Sequence, residues 1–240
     1  DADIFFGRGK ETDDLLALLK GGVRFLAVAG ASGAGKSSLV GAGLIPRLLA
    51  GSLPGGEAWR WLQFTPGGAS KADGTGVNPF EALRLAAPAL PLELIPRLET
   101  TPGAVGELVG ALLADAPAWA ELLLFIDQFE ELFTLCGQAY RPAFVDFLKA
   151  AAETPRLRVV VTLRADFYHR CVELPALNDL IQRSAYSLSI PKPLALYEMI
   201  TAPAARAGLT YEPGLAERIF DETGDNPGAL ALLAYTLDEL

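Results

Sequence analysis

The chain reads as an α/β domain, a parallel sheet covered on both faces, followed by a small helical subdomain. Two observations predict this. Continuous apolar strand patterns alternate with longer helical patterns up to residue 190, and after residue 191 only helical patterns follow. A strand that is apolar at every position buries both faces, which happens in a parallel sheet between helix layers. Strand–helix alternation builds such a sheet through right-handed crossovers. A chain of 240 residues, 51% apolar and 20% charged, has the size and composition to bury that core.

The elements follow in order. Residues 11–20 form a helix with Leu15, Leu16, Leu18 and Leu19 on one side, stopped by Gly21-Gly22. Residues 23–29 (VRFLAVA) are the first buried strand, and an apolar-periodic helix follows over 35–50. Further strands are expected at 59–64, 122–126 (LLLFI) and 159–163 (VVVTL), with a weaker one at 185–190. Helices are expected at 79–89, 104–114 and 141–153, and the Gly-, Ser- and Pro-rich stretch 65–77 reads as a surface loop. Trp59, Trp61 and Phe80 are expected in the core. Helices at 194–205, 213–223 and 227–240 make up the subdomain, so the chain divides into 1–190 and 191–240. The last helix is apolar on most faces and needs a partner, as expected of a piece of a longer protein.

Composition excludes several classes. The net charge of −9 weighs against a nucleic-acid partner, because phosphate binding depends on Lys and Arg. No apolar run approaches the ~18 residues of a membrane span. Asp1 and Asp3 stand where a signal peptide would be basic. Cys136 and Cys171 have neither metal-ligand nor disulfide-framework spacing, which fits free thiols in the cytoplasm. The single histidine, His169, has no nucleophile-elbow motif beside it.

The sharpest signal is Gly30-Ala31-Ser32-Gly33-Ala34-Gly35-Lys36-Ser37, which fits G-x-x-x-x-G-K-[ST] between a strand and a helix. Wrapping a phosphate in backbone N–H groups needs glycines free of Cβ. The following helix turns the positive end of its dipole to the anion. Lys36 supplies a charge to the β and γ phosphates, and the Ser37 hydroxyl reaches Mg²⁺. Candidate nucleotide contacts are Gly30, Ser32, Gly33, Ala34, Gly35, Lys36, Ser37 and Ser38.

The strand at 122–126 stops on Asp127, the second oxygen donor that a Mg²⁺ site beside that loop requires, in the Walker B pattern. Hydrolysis also needs a group to orient or deprotonate water. Gln128 follows the Asp directly, so Glu130 or Glu131 is the candidate, with Glu130 favoured. Arg164 follows the strand at 159–163, where a cation can touch a γ-phosphate and report its loss. Asp166 and His169 read as surface-loop residues.

Four blocks in this order carry a family likeness: FFGRGKE at 5–11, ASGAGKSSLVGAGLIPR at 31–47, FIDQFEELFT at 125–134 and TLRADFYHRC at 162–171. Together they resemble the STAND class of P-loop NTPases, most closely the novel STAND (nSTAND) NTPases of bacterial signalling proteins. The resemblance implies an ASCE/AAA+-like three-layer sandwich with strand order 5-1-4-3-2, the strand at 59–64 lying at an edge. The block at 5–11 looks like an hhGRxxE motif, so Phe6, Gly7 and Arg8 would line the base pocket. Arg164 would be the sensor after the fourth strand. Asn226–Ala231 stands where the class carries a GxP motif, with Pro227 the candidate contact and Ala231 where a second proline is common.

By the same resemblance the cofactors are ATP or ADP with Mg²⁺, and adenine is expected over guanine because no N/TKxD motif is evident. ADP would hold a closed form, and ATP would permit self-association that activates effector and sensor domains lying elsewhere in the full-length protein. The main expectation is a slow ATPase acting as a switch in signalling or defence. The alternative is an ADP-locked scaffold with negligible hydrolysis. A DNA-loading AAA+ ATPase is disfavoured by the acidic balance, and no LSGGQ-like signature supports an ABC ATPase. Arg170, Arg183 and Arg206 are equivalent candidates for an arginine donated to a neighbour.

Overall fold

The computed structural model describes residues 5–69 and 76–223, together with Leu230 and Leu233. Its centre is a five-stranded parallel sheet of β1 (Phe25–Gly30), β2 (Arg60–Phe64), β3 (Leu122–Ile126), β4 (Leu157–Arg164) and β5 (Ala185–Leu188). The strand order is 2-3-4-1-5, the expected order read from the other edge. β1 and β3 are buried at every position, whereas β2 and β5 are largely exposed, as edge strands should be. Trp59 is buried and Phe80 fully so, but Trp61 is 47% exposed on the outer strand β2, which corrects its placement in the core.

The sheet sorts its residues by alternation into two cores. Leu26 and Val28 of β1, with Leu123 and Phe125 of β3, face α1 (Gly9–Lys20) and the helical run 36–52, here α2. Phe25 and Ala27, with Leu122, Leu124 and Ile126, face the opposite layer. That layer holds α3 (Pro79–Ala86), α4 (Leu94–Thr100), α5 (Val105–Leu112), α7 (Arg141–Glu153) and α9 (Pro175–Ser184). The short helices α6 (Glu131–Thr134) and α8 (Tyr168–Val172) follow β3 and β4. In the larger core Phe80 meets Phe144 and Phe147 edge-on, with centroids 5.4 and 5.7 Å apart, a geometry that adds to simple burial. Away from the strand ends that carry the site, Arg158 pairs with Glu121 at 2.5 Å and lies over Trp59.

α2 is not a uniform α-helix. It winds through π-turns at Leu39–Leu44 and Leu48–Ser52. Pro46 lacks the N–H for an α-helical bond, and Gly43 lets the N-terminal segment lie close. A Cβ at Gly43 would stand 2.7 Å from the Phe5 ring and 2.8 Å from Thr12 Oγ1. The sequence missed α4, whose Pro96 interrupts the pattern, and α9.

After β5 the described chain is helical. α10 (Pro193–Arg206) packs on α11 (Leu215–Thr223) around a separate small cluster of Leu196, Ile200, Ala216 and Leu233. Gly7 is the close approach between the N-terminal segment and α10. Its φ is +75°, and a Cβ there would stand 2.4 Å from Ala195 O and 2.8 Å from Met199 Cγ. Gly7→Ala should therefore cost about 2 kcal/mol or more, seen as a melting temperature lower by roughly 5 °C. Gly9→Ala, with open space around its Cβ position, should stay within about 0.5 kcal/mol of the parent in the same assay.

No helix among the described residues is long and apolar enough to cross a membrane. Both cysteines are free and buried, and burial pushes each thiol up to about 12.

Candidate functional site

The carboxyl ends of β1, β3 and β4 lie side by side, and the sequence places its polar residues there. β1 ends on Gly30, where a Cβ would stand 2.7 Å from Leu188 O of β5, so only glycine fits. The loop then turns through left-handed residues at Gly33 (φ +72°) and Gly35 (φ +83°), and α2 begins at Lys36. Left-handed turns of this kind make a concave nest of backbone N–H groups at a helix N-terminus. Ser32, Ser37 and Ser38 are exposed around it, whereas Ala34 is buried beneath.

Lys36 is only 8% exposed. Its ammonium donates to Gly30 O at 3.1 Å and Ala31 O at 2.8 Å, which folds it across the loop. Burial pushes its pKa down, Arg164 adds to that, and Glu130 and then Asp127 and Asp166 oppose it. A buried ammonium with three carboxylates within electrostatic reach and little water around it has the chemistry to bind an anion.

Asp127 is buried and accepts from three donors on one oxygen. Ser37 Oγ donates at 2.7 Å, Thr162 Oγ1 at 2.5 Å and the Gln128 N–H at 3.0 Å, all to Oδ1. The Ser37–Asp127 contact ties α2 to the end of β3 and sets two hard oxygen donors side by side. Thr162 was missed by the sequence reading. Its signal was there, one hydroxyl in the otherwise apolar VVVTL strand, and it also accepts the Gln128 N–H at 2.9 Å. These bonds hold Gln128 at φ +50°, a left-handed value rare outside glycine.

The two glutamates diverge. Glu130 Oε2 accepts the Arg164 N–H at 3.3 Å at the end of β4, and Glu130 is the largest charge acting on Lys36. Glu131 Oε2 accepts the Gly67 N–H at 2.9 Å and so braces the loop after β2. The Arg164 guanidinium pairs with Asp166 and lies 5.4 Å over the Phe167 ring.

Arg8 is 2% exposed. It donates to Glu11 at 2.7 Å, to Ala34 O of the loop at 3.1 Å and to Ser189 O beyond β5 at 3.0 Å. The guanidinium thus fastens the N-terminal segment, the loop and the β5 exit together, beside half-buried Phe6 and Gly7. The structure brings together Lys36, Ser37, Asp127, Glu130 and Arg164, and turns Glu131 elsewhere. Pro227 and the helix expected at 227–240 lie outside the described residues, Leu230 and Leu233 apart.

The family model for novel STAND NTPase 1 matches residues 1–240. The chain belongs to that family. The STAND NTPase also shares its fold with solved structures. The Walker-type ATPase PABY2304 of Pyrococcus abyssi superposes with a TM-score of 0.60 at 16% identity, covering 96% of this chain and 68% of that one. The ORC2 protein of Aeropyrum pernix, solved as ADPNP–ADP complexes, gives 0.61 at 17% identity, covering 94% and 60%. PCH-2 of C. elegans gives 0.50 at 16% identity, covering 94% and 60%. At such identities the likeness is one of fold, and the STAND NTPase chain spans between 60% and 68% of these structures. No curated protein matches the sequence.

Proposed function

We propose that this STAND NTPase module binds ATP with Mg²⁺, hydrolyses it slowly, and uses the difference between ATP and ADP to control self-association in signalling or defence. One observation carries the reading: a buried lysine, a serine hydroxyl, a buried aspartate and Glu130 converge at the carboxyl ends of adjacent parallel strands. Ligands in open parallel sheets bind at those ends.

The loop amides and Lys36 hold the phosphate tail. Ser37 and Asp127 suit Mg²⁺, which favours hard oxygens, usually one or two carboxylates, and takes its remaining ligands from water and phosphate. Held by Ser37 and Asp127, such an ion would supply neutralisation of phosphate charge. Glu130 orients the attacking water and Arg164 meets the γ-phosphate. Phe6 and Gly7 line the base side, with Arg8 holding them against the loop. The ligand-dependent motion is a rotation of residues 191–240 about the linker that contains Pro191 and Pro193, as a switch needs contacts that differ between the two nucleotides. Effector and sensor domains belong to the full-length protein, and the module is cytoplasmic.

One observation favours a second reading, an ADP-locked scaffold: Gln128 stands beside Asp127 where an acid would serve hydrolysis. Native mass spectrometry of the purified protein tests nucleotide binding and should show co-purified ADP or ATP. Nucleotide-free protein that also gives flat calorimetry with Mg-ATP and with ADP would end the proposal. Solution scattering separates the two readings. Distinct profiles with ADP and AMP-PNP support the switch, and identical ones leave the scaffold.

A further inference from the structure

β4 delivers Arg164 to the edge of the site, and the next residues, Ala165–Phe167, form a tight 3₁₀ turn. The turn brings Asp166 back onto the guanidinium. Arg164 Nε donates to Asp166 Oδ1 at 3.1 Å and Nη2 donates to Oδ2 at 2.7 Å, a two-point fork. Phe167 supports the guanidinium from one face. The Arg164 backbone N–H is held by Glu130 at 3.3 Å, and both charges of the pair act on Lys36, so the pair lies within electrostatic reach of the phosphate lysine.

The pairing has little structural purpose. Arg164 is 39% and Asp166 56% exposed, and an ion pair that exposed adds little to stability. The Nε–Nη2 edge can serve one bidentate anion at a time, and a phosphate presents the same pair of oxygens as a carboxylate. We propose that Asp166 is a specificity-determining latch. It holds the Arg164 fork until a γ-phosphate displaces it, and so lowers the affinity for ATP relative to ADP. This rests on the proposed nucleotide site and adds to it the residue that sets the balance between the two states. Arg164 then has two resting partners, a carboxylate in the ADP form and a phosphate in the ATP form, and the change from one to the other is a two-state element at the end of β4.

The test is the ratio of AMP-PNP to ADP affinity, each measured with Mg²⁺ by calorimetry. Asp166→Asn should raise the preference for AMP-PNP about three- to fivefold. The same substitution made in an Arg164→Ala background should leave the ratio where that background sets it, because no fork remains to be released. An unchanged ratio, or one shifted toward ADP, would show that Asp166 is idle or instead presents Arg164 to phosphate, and the latch is overturned with the nucleotide site intact. A shift that persists without Arg164 overturns it too, since the effect would then be that of a charge alone. Absence of binding by the parent protein would remove the nucleotide site itself, and the latch with it.

Discussion

Lys36→Met is expected to weaken Mg-ATP binding by about 100-fold, the loss of roughly 3 kcal/mol when one partner of a desolvated charge pair is removed. The protein should nonetheless stay folded, with a melting temperature equal to or above that of the parent. The reason is the sign of the Lys36 shift. Burial lowers its pKa despite Glu130 and Asp127, so the charged form is less stable in the folded chain than in the unfolded one. Such a lysine stabilises only above its unfolded pKa, and gives that stability up as pH falls through the folded value. At neutral pH its charge is a cost, and methionine keeps the apolar stem without it. The advantage of the variant should be largest near pH 7 and shrink as pH rises toward 10. Calorimetry for affinity and melting curves over that range check both halves. Undiminished affinity would place the phosphate tail elsewhere, and a large fall in melting temperature would make Lys36 a structural residue.

Such residues were legible in the sequence to different degrees. The loop at 30–37 was readable because its physics is local: glycines, a lysine and a serine within one turn of chain, between a strand and a helix. The inner strands were readable because each is apolar throughout. Their order was not, since alternation fixes the crossovers and leaves the neighbours open. The order came from family likeness, and the parallel ladders agree with it.

What stayed hidden depends on pairing across the sheet. The register sets Ile126 beside Val161, so the next residues, Asp127 and Thr162, meet beyond the last paired positions. Nothing in a single strand announces that. Arg8 illustrates the same limit. Its motif pointed to a base pocket, while its three acceptors lie on segments up to 181 residues away. π-turns in α2 escaped because Pro46 alone does not announce them, and the close approach of Phe5 and Thr12 at Gly43 is a tertiary contact. Trp61 escaped even though its strand was expected at an edge, because an aromatic side chain does not announce which positions of an edge strand stay uncovered.

The division of labour between the two glutamates follows from the turn at Gln128. Asp127 Oδ1 and Thr162 Oγ1 both take the Gln128 N–H and hold the chain in a left-handed conformation there. The backbone therefore leaves β3 sharply, and the residue next to Asp127 is spent on the turn. Glu130 is the next acid on the β4 side, and it sits on the Arg164 N–H with Lys36 in its field. Glu131 points to Gly67, where Leu135 also closes in. Glu130→Gln should keep Mg-ATP binding and lose turnover by about 100- to 10,000-fold, the range for removing a general base. Glu131→Gln retains an oxygen for the Gly67 N–H, so turnover should stay within a few-fold and stability fall by about 1 kcal/mol. Single-turnover hydrolysis with radiolabelled ATP measures the first effect and denaturant unfolding the second. A reversed pattern would transfer the water to Glu131 and require the loop after β2 to move during the reaction. If neither variant slows the parent rate, hydrolysis is not using this pair, and the ADP-locked scaffold becomes the better account of the same geometry.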